Sequence, residues 1–243
     1  MGDGLKEALC DDGWAVLITD RDVNRSSVFV KKMKSQGARV ESIILDVTDE
    51  DAPERALDAA MNYFGRLDGL VNNVGIGLTK RTGEAEDEEF LKLFNVDFMA
   101  SFRFVKAALP ALRKSAGSIV NIGSVHAFRA AKGYGLYAAT KSALESFTRG
   151  LAVDYGKDGV RANIIHPGLV ESPQNAALLA NIFSDPKAWM DDFARLRQCI
   201  PRLTTAREVG ELVAFLLGEK SRMITGQSIF IDGGTTALLW NNE

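Results

Sequence analysis

Ser124, Tyr137 and Lys141 are the residues of this sequence whose types and spacing suit proton transfer. Ser124 closes the stretch GSIVNIGS, and thirteen residues later comes Tyr137, in YGLYAATKSALES, which opens a helical pattern that also contains Lys141. Residues four apart share a helix face, so the ammonium and the phenol can sit together. A phenol is a poor base at neutral pH, but a cation within about 4–6 Å stabilises the phenolate and makes proton exchange feasible. The pair is a candidate general acid and base. Taken alone, Tyr-x-x-x-Lys also describes a solvated helix face. Of the four tyrosines, however, only Tyr137 has the lysine, and it follows the strand that ends in Ser124.

Carboxylates supply a second clue. Asp20 ends the apolar run WAVLIT, where a carboxylate can accept both ribose hydroxyls of an adenosine and repel a 2′-phosphate. Asp46 ends ESIIL in the same way. Either could cap a turn or helix instead; together they favour a dinucleotide. NAD is the expected form, although Arg21, next to Asp20, could fold over a phosphate.

Strand ends and helix starts must hold these groups, and the sequence supplies them in alternation. Apolar, β-rich runs fall at 15–19, 40–45, 67–72, 118–122, 160–165 and 228–231. Helical spacing of apolar residues runs through Val28 and Met33, then over 56–64, 90–112, 138–155 and 209–217. Several strands are apolar throughout, as strands covered on both faces are. The pattern predicts an α/β fold, a doubly wound parallel sheet with helices on both faces. In such a sheet ligands bind beyond the carboxyl ends of the strands. Thr48-x-x-Asp51 is expected to form a capping box for the helix that follows. With no repeat, linker or low-complexity tract, a single domain over 1–243 is expected. Only 173–201 breaks the rhythm, as an insertion carrying Leu178, Leu179, Ile182, Phe183, Trp189, Met190 and Phe193.

Composition narrows the function classes. The 243 residues, 46% hydrophobic and 25% charged, can bury one large core. A net charge of −3, with lysine and arginine dispersed, gives no footprint for nucleic acid or an anionic membrane. Small-molecule partners are expected. Cys10 and Cys199 form no CxxC and fit a reducing compartment. No apolar run approaches the about 18 residues of a membrane span, and no secretory apolar segment opens the chain. Met1-Gly2 lacks the Ser or Thr that myristoylation wants where Lys6 stands. A cytoplasmic protein is expected. His126 and His166 have no ligand spacing, and no metal is expected.

Further motifs carry a resemblance. NNVG at 72–75, NVD at 95–97, HPGLVES at 166–172 and ITGQSIFIDGG at 224–234 join the serine and the Tyr-Lys pair in fixed order. In these the chain resembles the short-chain dehydrogenase/reductase family over residues 2 to about 235. Val74 replaces a usual alanine, and Ser172 a usual threonine. The resemblance implies a Rossmann-like three-layer fold and a nicotinamide-dependent enzyme acting on a secondary alcohol or ketone. It assigns Tyr137 the substrate proton, Ser124 the substrate oxygen, Lys141 the nicotinamide ribose, and Asn95 a water linking Lys141 to solvent. For the cofactor it implies Gly2, Gly4, Asp20, Asp46, Val47, Asn73 and Gly75, with Pro167, Gly168, Val170 and Ser172 on the far side. His126, Phe128 and Tyr134 would line the substrate side, and 173–201 would form an apolar lid. Arg129, Lys132, Arg195 and Arg202 could face an acidic substrate, though scattered surface cations explain them equally. Pairing through helices at 88–112 and 137–155 implies a tetramer or dimer.

The family's loop, Thr-Gly-x-x-x-Gly-x-Gly, follows a strand, and here only Gly2 and Gly4 match it. That strand would lie between those ending at Asp20 and Asn72. Either the native chain begins upstream, or another segment fills the slot, or the protein is a truncated form that holds cofactor poorly. The last case leaves open a binding or regulatory protein without turnover.

Overall fold

The computed structural model describes residues 2–180 and 182–239. In chain order the elements are α1 (Gly2–Asp11), β1 (Val16–Asp20), α2 (Val23–Ser35), β2 (Val40–Ile44), α3 (Ala52–Phe64) and β3 (Gly69–Asn72). Then come α4 (Asp87–Phe94), α5 (Ala100–Ser115), β4 (Ser118–Ile122), α6 (Gly135–Tyr155), β5 (Arg161–Pro167) and β6 (Val170–Glu171). The chain ends with α7 (Pro173–Ala180), α8 (Pro186–Arg197), β7 (Thr204–Thr205), α9 (Ala206–Leu217) and β8 (Ser228–Ile231).

Strand and helix alternate as the apolar periods require, and the strands pair in parallel, in the orders β1–β2, β3–β4–β5–β8 and β6–β7. One helical layer contains α1, α2 and α9. Leu5, Leu9, Val209, Val213 and Leu216 in it meet Val120, Ile122 and Ile165 of the sheet. The other contains α3, α5 and α6, with Val105, Leu112 and Leu151 against Ile119 and Ala162. β4 is buried at every position, which is why SIVNI carries no charge. A buried polar chain crosses the layers: Asn72 Nδ2 donates to Asn121 Oδ1 at 2.8 Å, and Asn121 Nδ2 to Thr148 Oγ1 at 2.8 Å. It ties α6 to the centre of the sheet.

The layers are as expected, but the sheet is divided. Among the described residues β1 does not pair with β3. A cavity of about 930 Å³ separates them, with α1 on one side and α3 and α5 on the other.

Two local expectations are corrected. The Thr48-x-x-Asp51 capping box does not form: Asp51 caps α3 without a side-chain bond, while Thr48 gives its N–H and hydroxyl to Asp46 Oδ1 at 2.9 and 2.7 Å. The near carboxylate wins because it needs only a two-residue turn. The helix expected over 90–112 is interrupted by a π turn at Asn95–Met99, a widening often found at functional sites. The insertion holds two helices, α7 and α8, next to the short pair β6–β7. Within it residue 181 lies outside the described residues.

Candidate active site

The carboxyl ends of the strands gather the candidate residues. β4 ends at Ile122, and the glycine after it lets the chain turn against β5. A Cβ on Gly123 would lie 2.6 Å from His166 Nδ1. Ser124 follows in extended conformation, its Oγ accepting the His126 N–H at 3.2 Å. His166, fully buried in β5, braces this turn: its Nδ1 lies 3.1 Å from Ser124 N and 2.8 Å from Ser124 O. Burial holds its imidazole below the usual range, against the opposing pull of the Ser124 backbone. The sequence offered one signal for this role, a histidine directly after the apolar pair Ile164–Ile165 of β5.

Helix α6 brings Tyr137 and Lys141 to the same place. Lys141 Nζ lies 5.6 Å from the Tyr137 ring centroid and donates to Ile122 O at 3.4 Å. It also meets Asp97 Oδ2 at 3.1 Å, both side chains being almost fully buried. Asp97 Oδ1 accepts the Ile76 N–H at 2.8 Å. Desolvation pushes the Asp97 carboxyl above its usual range, and Lys141 and the Ile76 amide oppose that shift. Asp97 was not among the expected site residues, although it lies two positions after Asn95. Gly75 makes the pairing possible, since a Cβ there would approach Lys141 Nζ to 3.1 Å and Asp97 Oδ2 to 3.4 Å.

Asn95 sits in the π turn, where its Oδ1 accepts from Arg103 Nη1 at 3.2 Å; among the described residues no hydrogen bond joins it to Lys141. On the outer side His126 stacks on Tyr134, with centroids 4.5 Å apart, and stands edge-on to Tyr137 at 5.8 Å. Burial lowers the His126 pKa and favours a neutral ring. Phe128 is exposed and packs edge-on against Phe230.

The expected dinucleotide positions divide into open and packed ones. Asp20 is held by the Asp22 N–H at 3.1 Å and Lys6 at 3.5 Å. The two Thr48 donors, then Arg21 at 3.2 Å, keep the Asp46 carboxyl below its usual range. Thr19, Val47, Asn73 and Val96 line a crevice of about 40 Å³ near the ends of β1 and β3. Asn73 Oδ1 is buried there without a partner. Gly2 has room, its nearest neighbours being 3.7 Å or more from an added Cβ. Gly4 does not: a Cβ would meet Ala206 Cβ at 2.8 Å, so this glycine lets α1 press on α9. Gly168 likewise packs on Asp232, Val170 is buried in the core, and Ser172 Oγ caps α7 by accepting the Asn175 N–H at 3.2 Å. Among the outlying cations, Arg195 pairs with Asp192 and Arg202 with Glu208, within their own surroundings. Arg129 Nη1 donates to Leu238 O at 3.3 Å.

A buried lysine under a tyrosine, beside a serine at a strand end, can exchange one proton with a bound oxygen. Comparison with known proteins agrees in fold and length. A family model described as enoyl-(acyl carrier protein) reductase matches residues 1–236. Trans-4-hydroxycyclohexanecarboxylate dehydrogenase of Sinomonas cyclohexanicum is 31% identical over 243 residues, 98% of this chain and 89% of that protein. Cyclopentanol dehydrogenase of Comamonas testosteroni is 30% identical over 240 residues, covering 98% and 94%. The solved L-sorbose reductase of Gluconobacter frateurii, complexed with NADPH and L-sorbose, superposes with a TM-score of 0.91 at 27% identity, covering 98% of this chain and 93% of that one. With relatives aligned nearly end to end and the same layers in space, this chain belongs to the short-chain dehydrogenase/reductase family and is an oxidoreductase.

Proposed function

We propose that this chain passes a hydride between a nicotinamide dinucleotide and the carbinol carbon of a small secondary alcohol or ketone, with Tyr137 as general acid and base. The observation that carries the reading is the convergence of Ser124 from the end of β4 with Tyr137 and Lys141 from the first turns of α6. The partnerless Asn73 Oδ1 fits a polar group lying across the strand ends. Gly2, Asp20, Asp46, Val47, Asn73 and Gly75 would hold the dinucleotide, with the loop from Pro167 to Ser172 on the nicotinamide side. The nicotinamide, when bound, supplies the hydride chemistry. Tyr137 exchanges the hydroxyl proton at its phenolic oxygen. Ser124 Oγ donates to the substrate oxygen and steadies the charge that develops there. Lys141 grips the ribose, and Asn95, fixed by Arg103, orders water for the proton path.

His126, Phe128 and Tyr134 line the substrate side, and α7 and α8 form a lid that excludes water from the transfer. The names of two relatives support a ring-borne secondary alcohol as substrate. The chain acts as a single cytoplasmic domain in a homotetramer or homodimer, a reading supported by exposed Leu91, Phe102 and Val153 on α4, α5 and α6. Among the described residues no helix is long and apolar enough to cross a membrane.

Tyr137→Phe, assayed with cyclopentanol and NAD, is expected to lower kcat by about 10²–10⁴-fold while NADH titration is unchanged. Activity within about tenfold of the parent would overturn the assignment of the proton to Tyr137. Asp20 supports NAD over NADP, because a 2′-phosphate would meet its charge. Dissociation constants for NADH and NADPH test this, and tighter NADPH binding would reverse it.

A further inference from the structure

The buried imidazole that braces Ser124 can carry its proton on either nitrogen. Nδ1 of His166 faces both backbone groups of Ser124, 3.1 Å from the N and 2.8 Å from the O. A ring nitrogen is either a donor or an acceptor, so it serves one of them at a time. The other nitrogen, Nε2, is buried and has no hydrogen-bond partner among the described residues. The Glu145 carboxylate stands beside it, Oε2 lying 3.8 Å away. Burial holds the imidazole below its usual range, so near pH 7 the ring is neutral and has a single proton to place.

Two observations put that proton on Nε2. The Ser124 carbonyl already accepts the Ala127 N–H at 3.0 Å, whereas the bond described for the Ser124 N–H is the one to Nδ1. With the proton on Nδ1 that N–H would confront another donor and stay buried without an acceptor, which native structures avoid. A carboxylate beside Nε2 also attracts an N–H and repels a lone pair. The short distance from Nδ1 to the Ser124 carbonyl pulls the other way, but it is one unfavourable contact against two.

Glu145 is itself held in place. Its Oε1 accepts from the Ser228 hydroxyl at 2.9 Å and from Arg149 Nη1 at 2.7 Å, which leaves Oε2 for the ring. Phe230 stacks on the imidazole with centroids 5.0 Å apart. Glu145 lies four residues after Lys141, which lies four after Tyr137, so all three occupy one face of α6.

We propose that Glu145 and His166 are positioning residues for Ser124: the carboxylate fixes the ring proton on Nε2, and bare Nδ1 accepts the Ser124 N–H and sets the serine at the end of β4. One helix face then orients both halves of the proton-transfer site, Tyr137 and Lys141 directly and Ser124 through the imidazole. The effect on turnover rests on the hydride-transfer reading; the tautomer does not.

The test uses Glu145→Gln, His166→Asn and the double variant in the full chain. A glutamine can keep its oxygen on Ser228 and Arg149 and turn its NH2 toward Nε2, a donor where the parent has an acceptor. The ring proton is then expected to move to Nδ1, as read from the 15N resonances of the ring, with His126→Gln telling the two histidines apart. With cyclopentanol and NAD, kcat of Glu145→Gln should fall by about 10-fold at nearly constant KM. Asparagine at 166 can offer its oxygen where Nδ1 stands and needs no proton placed for it. Adding Glu145→Gln to His166→Asn should therefore change kcat by less than about twofold. Glu145→Asp, which keeps the charge, should hold the proton on Nε2 and retain more of kcat than Glu145→Gln. Equal losses from Glu145→Gln in both backgrounds, or a proton that stays on Nε2 in Glu145→Gln or already sits on Nδ1 in the parent, would overturn the proposal. Absence of turnover in the parent would count against the hydride-transfer reading, while the nitrogen resonances would still decide this one.

Discussion

At the scale of single residues, the sharpest feature is a charge pair enclosed by the fold. Lys141 and Asp97 lie 3.1 Å apart, with side-chain exposures of 5% and 0%. A buried ion loses hydration that its partner must offset, so removing one partner costs far more than the pair contributes net. Asp97→Ala is therefore expected to destabilise the protein by about 3–5 kcal/mol in denaturant unfolding. Asp97→Asn, which keeps an acceptor for the Ile76 N–H, should cost less. An equal, small effect of both would mean that Lys141 finds another partner. The sequence marked Lys141 through its spacing from Tyr137, whereas Asp97 stood in the NVD motif with no role attached. The pairing needs the π turn and the close approach of Gly75, and neither is written in local periodicity.

Among the elements, α1 shows how residues alike in sequence serve different ends. Gly2 and Gly4 read as one motif, yet Gly2 lies at the strand ends with space around it, while Gly4 sits within van der Waals reach of α9. A Cβ at position 4 would come within 2.9 Å of the Ala206 carbonyl carbon, which is backbone and cannot swing aside. Overpacking of this kind typically costs about 1–3 kcal/mol. Gly4→Ala should accordingly lower Tm by several degrees, and Gly2→Ala should leave it nearly unchanged, as thermal unfolding by circular dichroism would show. Loss of stability at Gly2 instead would place the tight contact at the wrong turn of the helix. The same logic explains Gly123, whose bare Cα admits the His166 ring that braces Ser124.

For the whole molecule, acid stability follows from imidazoles kept neutral by burial. His126 and His166 both have pKa values lowered from 6.5, chiefly by desolvation. Below about 6.5 the unfolded chain binds these protons and the folded chain does not, so unfolding gains free energy as pH falls. Their contribution is fully present above that value and is lost as pH falls through the lowered folded values. Denaturant unfolding between pH 8 and 5 should show stability level above about 6.5 and declining below it, with a shallower decline in His166→Gln. A profile identical in the variant would remove His166 from the account. At lower pH Glu208, held to about 2 mainly by its bond from Arg202, adds a second acid-side loss, below its ordinary value of 4.5. Its exposure makes that contribution small.

The sequence by itself determined the alternation of strand and helix, the parallel layers, and the placing of Tyr137 and Lys141 on one helix. These depend on periods of two and 3.6 residues and on a four-residue spacing along one helix, all local quantities. Only the tertiary structure decided which glycines pack and which stay open, that Asp97 lies against Lys141, and that His166 supports Ser124 across 42 positions of sequence. Such contacts form when distant elements converge, and no local pattern encodes them. The divided sheet belongs to both. The sequence raised the question of a strand between Asp20 and Asn72, and the fold answered with two facing edges and a cavity, because backbone pairing is settled in space.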